Sequence, residues 1–350
     1  MIRLLFFALI TLATNAFAQT KIANIIDAEY EAGHFNGAVL AVKNGQIVAQ
    51  VNKGYANLQF AVPITPDTRF PVASMTKLFT AVLTLQLHEK GLLRLDDKAA
   101  AYVPGLPANC QDITITALLT HHSRLKNEPI EAYQVAYSTT EYVKKFVLKN
   151  ESRKGSYFNY NNVDYVLLTR ILETVSKKSF ANLVRENIFR PLGMNDSGVV
   201  KESSVVPSLA YGYHNYSFGT GSRQDTLKND SRKLSNYAGA GAVYSTVADL
   251  YKLLQALKAN TLLSAKTTAA YLQKPQQAEF LEYARGRSTV GFYHNNKTFA
   301  KPVLERRGSI DGFNSVLLTN EEFTNAVLIL TNTDTADLEL IADKIYAEIE

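Results

Sequence analysis

The sequence has almost no cysteine. Cys110 is the single cysteine among 350 residues, so an intrachain disulfide is excluded and stability must come from the buried core. No neighbouring motif would make the Cys110 thiol a nucleophile. With 46% hydrophobic and 20% charged residues, the composition is that of a globular protein with room for one large domain or two smaller ones.

A strong excess of charge of one sign is also missing. Lysine and arginine number 37 against 32 aspartates and glutamates, which gives a formal net charge of +5. The basic residues are scattered or form short pairs instead of a continuous stripe, and no nucleic-acid-binding motif is present. We therefore expect no nucleic-acid partner.

Long apolar runs are missing everywhere except at the start, which reads MIRLLFFALITLATNAFA. Arg3 supplies a positive charge, Leu4–Ala13 is apolar, and Ala16-Phe17-Ala18 has the small-residue pattern of a cleavage site. These features predict a signal peptide over residues 1–18 and a mature chain that starts near Gln19. The run is too short to span about 30 Å of hydrocarbon. Because no lipid-bearing cysteine follows it, we expect no stable membrane anchor and a periplasmic or secreted bacterial protein.

Predicted strands lie towards both ends of the chain, and predicted helices fill its middle. Asn44-Gly45 is a hairpin signal between two apolar runs, and the polar stretch Lys201–Asn236 is interpreted as irregular structure. Residue patterns predict strands at 37–42, 46–55, 289–293, 303–307, 313–319 and 326–332. They predict helices at 22–32, 74–89, 113–121, 140–148, 163–175, 180–189, 247–257 and 336–349.

This order of elements indicates an α/β protein of the α+β type. We expect a single domain over residues 19–350, built on one antiparallel sheet that is assembled from both chain ends and flanked by helices. The sheet part would cover about 19–73 and 237–350. A mostly helical subdomain, about 74–236, would be inserted between them, and a site is expected in the cleft between the two parts.

Two segments place a serine three residues before a lysine. Ser74 and Lys77 open a long predicted helix, where positions i and i+3 share a face and free N–H groups favour a developing negative charge. A lysine can accept the serine proton if burial or nearby cations lower its pKa. The alternative is a helix cap beside a solvated lysine. Ser123 and Lys126 share the spacing but do not open an apolar helix, so that match is interpreted as chance.

Two other segments carry groups that suit acyl transfer. Tyr160 and Asn162 point the same way in an extended chain, which suits a proton relay and an amide that holds a substrate carbonyl. The alternative is a core-edge aromatic followed by an N-cap. Arg306 and Gly308 lie on a predicted strand, where glycine admits a close ligand and a following N–H can complete an oxyanion hole. The alternative there is an edge strand protected by its charges.

In this order, the three segments resemble the serine β-lactamase and penicillin-binding superfamily, which carries S-x-x-K, then [S/Y]-x-N, then a basic strand that ends in glycine. The Tyr-x-Asn form is similar to the class C β-lactamase-like branch, which includes D-amino-acid-specific peptidases and related esterases. The resemblance extends over nearly all of the mature chain. Its further landmarks lie at 35–45, 91–97, 113–123, 238–241, 244–250 and 308–313.

The resemblance implies an acyl-enzyme mechanism. Ser74 would be the acylated nucleophile, and Lys77 and Tyr160 would share the general base and acid work. Asn162 would help to position the substrate amide and Lys77. The oxyanion hole would use the backbone N–H groups of Ser74 and Ser309. No metal and no cofactor are implied, and the histidines agree, since four are isolated and the adjacent pair would diverge on a helix.

The sequence departs from the family pattern at three arginines. Arg306 stands where lysine or histidine is usual; it keeps a positive charge and can bind a substrate carboxylate through two N–H groups, but it cannot readily shuttle a proton. Arg307 replaces a small hydroxyl residue and is expected on the opposite face of the strand. Arg124 stands where glycine is expected after His121-His122-Ser123. These changes place efficient β-lactam hydrolysis in doubt.

The resulting hypothesis is an exported serine hydrolase that acts on amides or esters: D-amino-acid peptides, cell-wall fragments, small esters or β-lactams. Its partner would be a small-molecule or peptide substrate, and the oligomeric state is left open. The alternative is a catalytically weakened penicillin-binding or sensor module of the same fold. An unrelated α/β-hydrolase is disfavoured because the chain contains no Gly-x-Ser-x-Gly segment.

Overall fold

The computed structural model describes residues 18–152, 155, 157–214, 228–229 and 234–350. Residues 1–17 of the predicted signal peptide lie outside the described residues, and so does most of the segment 215–233 within the predicted polar stretch.

The helices vary from single turns to fourteen residues in α1, α2 and α5. The α-helices are α1 (18–31), α2 (Thr76–Glu89), α3 (Ile115–Leu119), α4 (Thr139–Phe146), α5 (Val163–Ser176), α6 (Phe180–Val184), α7 (Val247–Lys258), α8 (Ala265–Thr267) and α9 (Leu338–Ile349). Short 3₁₀ turns lie at Ala73–Met75, Ala99–Ala101, Ala108–Cys110, Ile130–Tyr133, Leu234–Ala240 and Glu282–Ala284. Single π turns extend α6 and α8 over Arg185–Phe189 and Thr268–Gln273.

The strands are shorter on average than the helices. They are β1 (Gly37–Lys43), β2 (Gln46–Lys53), β3 (Tyr55–Asn57), β4 (Val62–Pro63), β5 (Phe70–Pro71), β6 (Gly198–Val199), β7 (Tyr213–His214), β8 (Lys228–Asn229), β9 (Val243–Ser245), β10 (Phe280–Leu281), β11 (Gly286–Ser288), β12 (Tyr293–Asn295), β13 (Val303–Ile310), β14 (Phe313–Asn320) and β15 (Ala326–Thr331).

Strands from early and late in the chain join in one sheet of eight, in the order β10-β11-β12-β13-β14-β15-β1-β2. All of its neighbouring strands are antiparallel, and β1 is paired on one side with β15 and on the other with β2. The β1–β2 hairpin turns at Asn44 and Gly45, whose φ angles of 51° and 75° match a turn of type I′. The structure therefore confirms the α+β fold and the antiparallel sheet built from both chain ends.

Each face of this sheet buries its own apolar core. Leu40 and Leu328 point into the larger core, which includes α2, α5 and α7. Their neighbours Val39 and Ile329 point into the smaller core, which includes α1 and α9. Because side chains alternate along a strand, a strand covered on both faces is apolar at every position, as the run in β1 is. The division into a sheet part and a helical part at residues 73–74 and 236–237 stays a prediction.

The strand predicted at residues 289–293 was wrong. Thr289 N–H donates to Phe292 O across a turn in which Gly291 has φ 98°, and this turn joins β11 to β12, which begins at Tyr293. The small sheet β5-β9-β6 was not predicted, because strands of two or three residues are too short to show a period. Among the described residues, no helix has the length and hydropathy required to cross a membrane.

Candidate active site

Ser74 lies in the single 3₁₀ turn Ala73–Met75, which leads directly into α2. The α-helix begins at Thr76, two residues later than predicted, so the half-buried Ser74 stands just before the helix N-terminus. Ala73 has φ 46°, a left-handed conformation that a residue with a side chain keeps only when its surroundings hold it. The backbone strain next to Ser74 thus fixes where its hydroxyl points.

Lys77 is completely buried one turn further along. Its Nζ lies 3.0 Å from Ser74 Oγ, 2.7 Å from Asn162 Oδ1 and 2.8 Å from Ala240 O. These partners come from the 3₁₀ turn before α2, the residue before α5 and the 3₁₀ segment before β9, so three distant parts of the chain converge on one amine. The alternative of a solvated lysine at a helix surface is therefore wrong.

The surroundings of Lys77 favour its neutral form. Burial lowers the pKa of Lys77, and the positive charge of Arg306 lowers it further, against the opposing effect of Tyr160. An ammonium would donate to all three neighbouring oxygens. A neutral amine still donates to the two carbonyl oxygens of Asn162 and Ala240, and its lone pair is then left to accept the Ser74 proton.

Tyr160 lies beside this amine, with Lys77 Nζ 4.9 Å from the centre of its ring. Burial acts to raise the pKa of Tyr160, but the positive charges of Lys77 and Arg306 outweigh it, and the pKa is lowered from its ordinary value. The lowered pKa of each group means that both the phenol and the ammonium lose a proton more easily, so the two side chains can share one proton within the site.

Asn162 is the residue before α5, but its side chain makes no capping hydrogen bond within the described chain. The neighbouring Asn161 accepts the helix N–H instead, from Asp164, at 2.8 Å. This leaves the Asn162 amide free of helix capping: its oxygen accepts from Lys77 and its nitrogen donates to Glu128 Oε1 at 2.6 Å. Glu128 was missed by sequence reasoning, because it lies in a polar loop without any motif.

Gly308 on β13 lies against the turn that holds Ser74. A side-chain carbon at this position would lie 2.2 Å from Val72 O and 2.9 Å from Ser74 N, so any other residue would push the strand and the turn apart. Ser315 on β14, which is paired with Gly308, makes a second contact with this turn, since its hydroxyl donates to Val72 O at 2.8 Å. Ser309 follows on the same strand with an exposed side chain and lines the cleft in front of Ser74.

Arg306 is almost completely buried, and two of its guanidinium nitrogens donate hydrogen bonds to one main-chain oxygen. Its Nε and Nη2 donate to Ser74 O at 3.0 and 2.9 Å. Two donors of the guanidinium thus hold the backbone of Ser74, while binding of a substrate carboxylate by Arg306 stays a prediction. The guanidinium of Arg307 pairs with Glu305 and with Glu339 of α9, while part of the residue lines the cleft in front of Ser74.

The residues predicted from the three motifs meet in one open cleft of about 200 Å³. Three tyrosine rings form much of its wall. Its lining is Ser74, Tyr160, Tyr283, Ala284, Tyr293, Arg306, Arg307 and Ser309. Lys77, Asn162 and Gly308 lie directly behind this lining, so the structure brings all seven predicted site residues together.

One expectation about the segment after α3 needs correction. His121 and His122 do not lie on a helix, because α3 ends at Leu119. Ser123 is 3% exposed, and its hydroxyl donates to the buried carboxyl group of Asp164, which agrees with the interpretation of its spacing to Lys126 as chance. Arg124 stands where the family pattern has glycine, and its φ of 65° keeps the left-handed backbone that glycine favours.

Within the described ranges, no group of three or more histidine, cysteine, aspartate or glutamate side chains is arranged to hold a metal ion. The absence of a metal and a cofactor from the reaction stays a prediction.

Comparison with known proteins matches the beta-lactamase family over residues 22–348. A putative penicillin-binding protein of Bacillus subtilis is 31% identical over 313 residues, which cover 89% of this chain and 74% of that protein. A teichoic acid D-alanine hydrolase of Staphylococcus aureus is 26% identical over 326 residues, covering 93% of this chain and 77% of that protein. The fold is similar to that of the D-amino acid amidase from Ochrobactrum anthropi SV3, with a TM-score of 0.81 at 24% identity, covering 95% of this chain and 98% of that one.

Fold, site geometry and these similarities define the class of the protein, a serine hydrolase of the β-lactamase-related type. The chain belongs to the beta-lactamase family.

Proposed function

We propose that this protein is an exported hydrolase that forms an acyl-enzyme on Ser74 and acts on amides or esters of D-amino acids. The observation that carries the proposal is the distance of 3.0 Å between Ser74 Oγ and Nζ of the fully buried Lys77. Burial lowers the pKa of Lys77, which makes its amine available as a proton acceptor within hydrogen-bond distance of the serine hydroxyl.

In the first step, Ser74 Oγ attacks the carbonyl carbon of the substrate, and its proton passes to Lys77 Nζ or to the Tyr160 phenolate. The carbonyl electron pair moves onto oxygen and gives a tetrahedral oxyanion, for which the backbone N–H groups of Ser74 and Ser309 are the proposed donors. Collapse of this intermediate breaks the bond to the leaving amine or alcohol, which takes up the proton. Water then attacks the acyl carbon, releases the acid and restores the serine.

Asn162 and Gly308 have supporting roles in this scheme. Asn162 holds Lys77 Nζ at 2.7 Å and keeps the amine directed at Ser74. The missing side chain of Gly308 lets β13 approach the Ser74 turn closely enough for both proposed oxyanion donors to reach one oxygen.

The proposed substrate class has two sources of support. Curated relatives include a teichoic acid D-alanine hydrolase, and a solved structure of similar fold is a D-amino acid amidase. The cleft is small and largely lined by tyrosine rings, which suits a single amino-acyl group with an apolar side chain better than a long polar chain. β-Lactams and cell-wall fragments are acyl donors of the same kind and are included in the proposal as reactants.

One observation favours the second candidate, a penicillin-binding module with weakened chemistry. Arg306 occupies the position where the family has a residue that can exchange a proton, and two of its nitrogens already donate to Ser74 O. A site with no proton-exchanging group there acylates by way of Lys77 and Tyr160 but receives less help in removing the acyl group.

The test combines intact-mass analysis with a turnover assay. Wild type and Ser74→Ala are incubated with a fluorophosphonate and with benzylpenicillin, and a covalent adduct is expected on wild type alone. D-alanine p-nitroanilide and D-alanine methyl ester are then compared with their L-enantiomers, with preference expected for the D-forms. An adduct without turnover supports the binding module. An adduct that persists in Ser74→Ala, or no adduct and no turnover at all, refutes the enzyme proposal.

We also propose that the mature protein acts outside the cytoplasm, since the first eighteen residues have signal-peptide features and the relatives act on cell-wall material. N-terminal sequencing of the protein from periplasm or medium should give a start near Gln19. An uncleaved chain in the cytoplasm would refute export.

A further inference from the structure

A buried polar cluster lies next to Tyr160 and has no role in the chemistry proposed above. Its centre is Asp164, which is fully buried at the start of α5. His121 Nδ1 lies 3.0 Å from Asp164 Oδ2, and Asn161 Nδ2 donates to the same oxygen at 3.1 Å. The Ser123 hydroxyl donates to the other oxygen, Oδ1. Both oxygens of the Asp164 carboxyl group therefore have hydrogen-bond partners inside the protein, as buried polar groups require.

The imidazole of His121 connects this cluster to the site. Its ring centre lies 4.5 Å from that of Tyr160 and 5.2 Å from that of Tyr165. Lys77 Nζ lies 4.9 and 5.6 Å from the same two tyrosine rings. The Tyr165 hydroxyl is fixed in turn, since it donates to Leu119 O at 2.9 Å. The imidazole and the lysine amine thus share one pair of aromatic neighbours.

The backbone of His121 is held as firmly as its ring. Its φ is 58°, a left-handed conformation that is costly for a residue with a side chain. Its carbonyl accepts the Asn159 N–H at 2.8 Å, which ties it to the segment that carries Tyr160. The geometry of a helix or strand does not require this left-handed backbone conformation, because His121 lies outside any helix or strand.

One nitrogen of the ring is left unsatisfied. His121 is 2% exposed, and no described residue forms a hydrogen bond with its Nε2. A buried polar atom without a partner destabilises the fold, a cost that an apolar side chain would avoid. A histidine that keeps one buried nitrogen unsatisfied is therefore retained for something other than stability, and its contact with Tyr160 is the feature that faces the site.

We propose that His121, oriented by Asp164, is a positioning residue that holds the Tyr160 ring beside Lys77 and thereby sets the rate at which Ser74 is acylated. This inference rests on the proposed function, since it assigns His121 an effect only through Tyr160. His121 itself touches neither the substrate nor the reacting atoms.

The experiment is a double-mutant cycle between residues 121 and 160. His121→Asn removes the ring but keeps an N–H donor for Asp164, and asparagine tolerates positive φ. Tyr160→Phe removes the hydroxyl that the positioning would serve. The rate of fluorophosphonate labelling of Ser74 is measured by intact mass in wild type, both single variants and the double variant, with long incubations for the slow ones.

A matched control is available one residue along the chain. His122 is half-buried, its Nδ1 faces Thr120 O at 2.7 Å, and its ring contacts Phe158 instead of Tyr160. His122→Asn should therefore leave the labelling rate unchanged.

We expect His121→Asn to slow labelling about tenfold or more in the wild-type background, because small misplacements of a reacting group are costly. In the Tyr160→Phe background the same change should cost less than about twofold. Equal losses in both backgrounds, or no loss in either, would overturn the inference.

A second variant keeps the test valid if His121→Asn does not fold. Asp164→Asn preserves size and leaves the His121 ring in place but weakens its orienting hydrogen bond, and it should give a smaller loss that also disappears with Tyr160→Phe. Failure of wild type to be labelled would instead refute the proposed function, so the two failures are distinguishable.

Discussion

The chain contains a serine three residues before a lysine twice, as Ser74 and Lys77 and as Ser123 and Lys126. The two pairs differ in which side chain is buried. Ser74 is half-buried in the cleft, and its partner Lys77 is fully buried. Ser123 is 3% exposed, and its partner Lys126 is exposed to solvent. In the first pair the hydroxyl is accessible and the amine is buried. In the second pair the hydroxyl is buried and the amine is exposed to solvent.

On the proposal that Ser74 is the nucleophile, burial is the property that distinguishes the two pairs. A buried lysine loses its proton more easily, whereas a solvated lysine stays charged at neutral pH. A serine whose hydroxyl donates to a buried carboxylate, as Ser123 does to Asp164, is already committed to a structural hydrogen bond. Helix position also separates the two, since the 3₁₀ turn of Ser74 leads directly into α2, whereas Ser123 lies in an irregular segment after α3.

The largest expected difference concerns the two lysines. Lys77→Ala removes the proposed base and should slow acylation of Ser74 by on the order of 10²–10⁴ at pH 7. Lys126→Ala removes a solvent-exposed side chain and should leave the rate unchanged. Labelling with a fluorophosphonate, read by intact mass, measures both. A comparable loss in the two variants would show that burial does not distinguish the pairs.

A smaller effect is expected from Arg306, the cation whose charge acts on the first pair. Arg306 lowers the pKa of both Lys77 and Tyr160, so Arg306→Gln should raise both. Since the deprotonated base is the active form, the acidic limb of the acylation rate should move to higher pH, with a loss of about tenfold per pH unit below the limb.

Arg306→Lys is the matched control for this shift. It keeps the charge and removes only the double hydrogen bond to Ser74 O, so the limb should stay in place while the plateau falls slightly. Its loss should be far smaller than that of Lys77→Ala. A pH–rate profile that moves equally in both arginine variants would contradict the assigned electrostatic role.

The smallest effect on the reaction is expected at the second serine. Ser123→Ala removes one donor to Asp164 and the acceptor for Leu125 N–H at 2.9 Å, which should cost about 1–3 kcal/mol of unfolding free energy. Urea unfolding measures this change, and the covalent adduct should still form on Ser74. Complete loss of the adduct in a folded Ser123→Ala protein would reverse the comparison.

Local sequence patterns predicted much of the fold. Asn44-Gly45 specifies a turn type, and the long periodic run after Ser74 specifies a helix, so β1, β2 and α2 follow from short-range rules. The strand predicted at 289–293 was wrong because the prediction gave more weight to aromatic and β-branched residues than to Gly291, which lies in a turn in the structure.

The candidate site was predictable only in part, because it depends on contacts between segments that lie far apart in the sequence. The three motifs named the seven residues that the cleft brings together. The contacts of Asn162 with Glu128 and of His121 with Tyr160 join segments without a shared motif, so no spacing rule indicates them. Nor does sequence show that Arg306 would use its guanidinium on the backbone of Ser74.

The sheet order has a consequence for how the protein is made. Gly37 on β1 is paired with Thr331 on β15, so the middle of the sheet cannot close until almost the whole chain has been synthesised. Ribosomes add roughly 5–20 residues per second, so on the order of tens of seconds separate the two strands. During that interval β1 and β2 lack their partner β15, and an isolated two-stranded hairpin has little stability of its own in water. The eight-stranded sheet can therefore be completed only after β15 has been made.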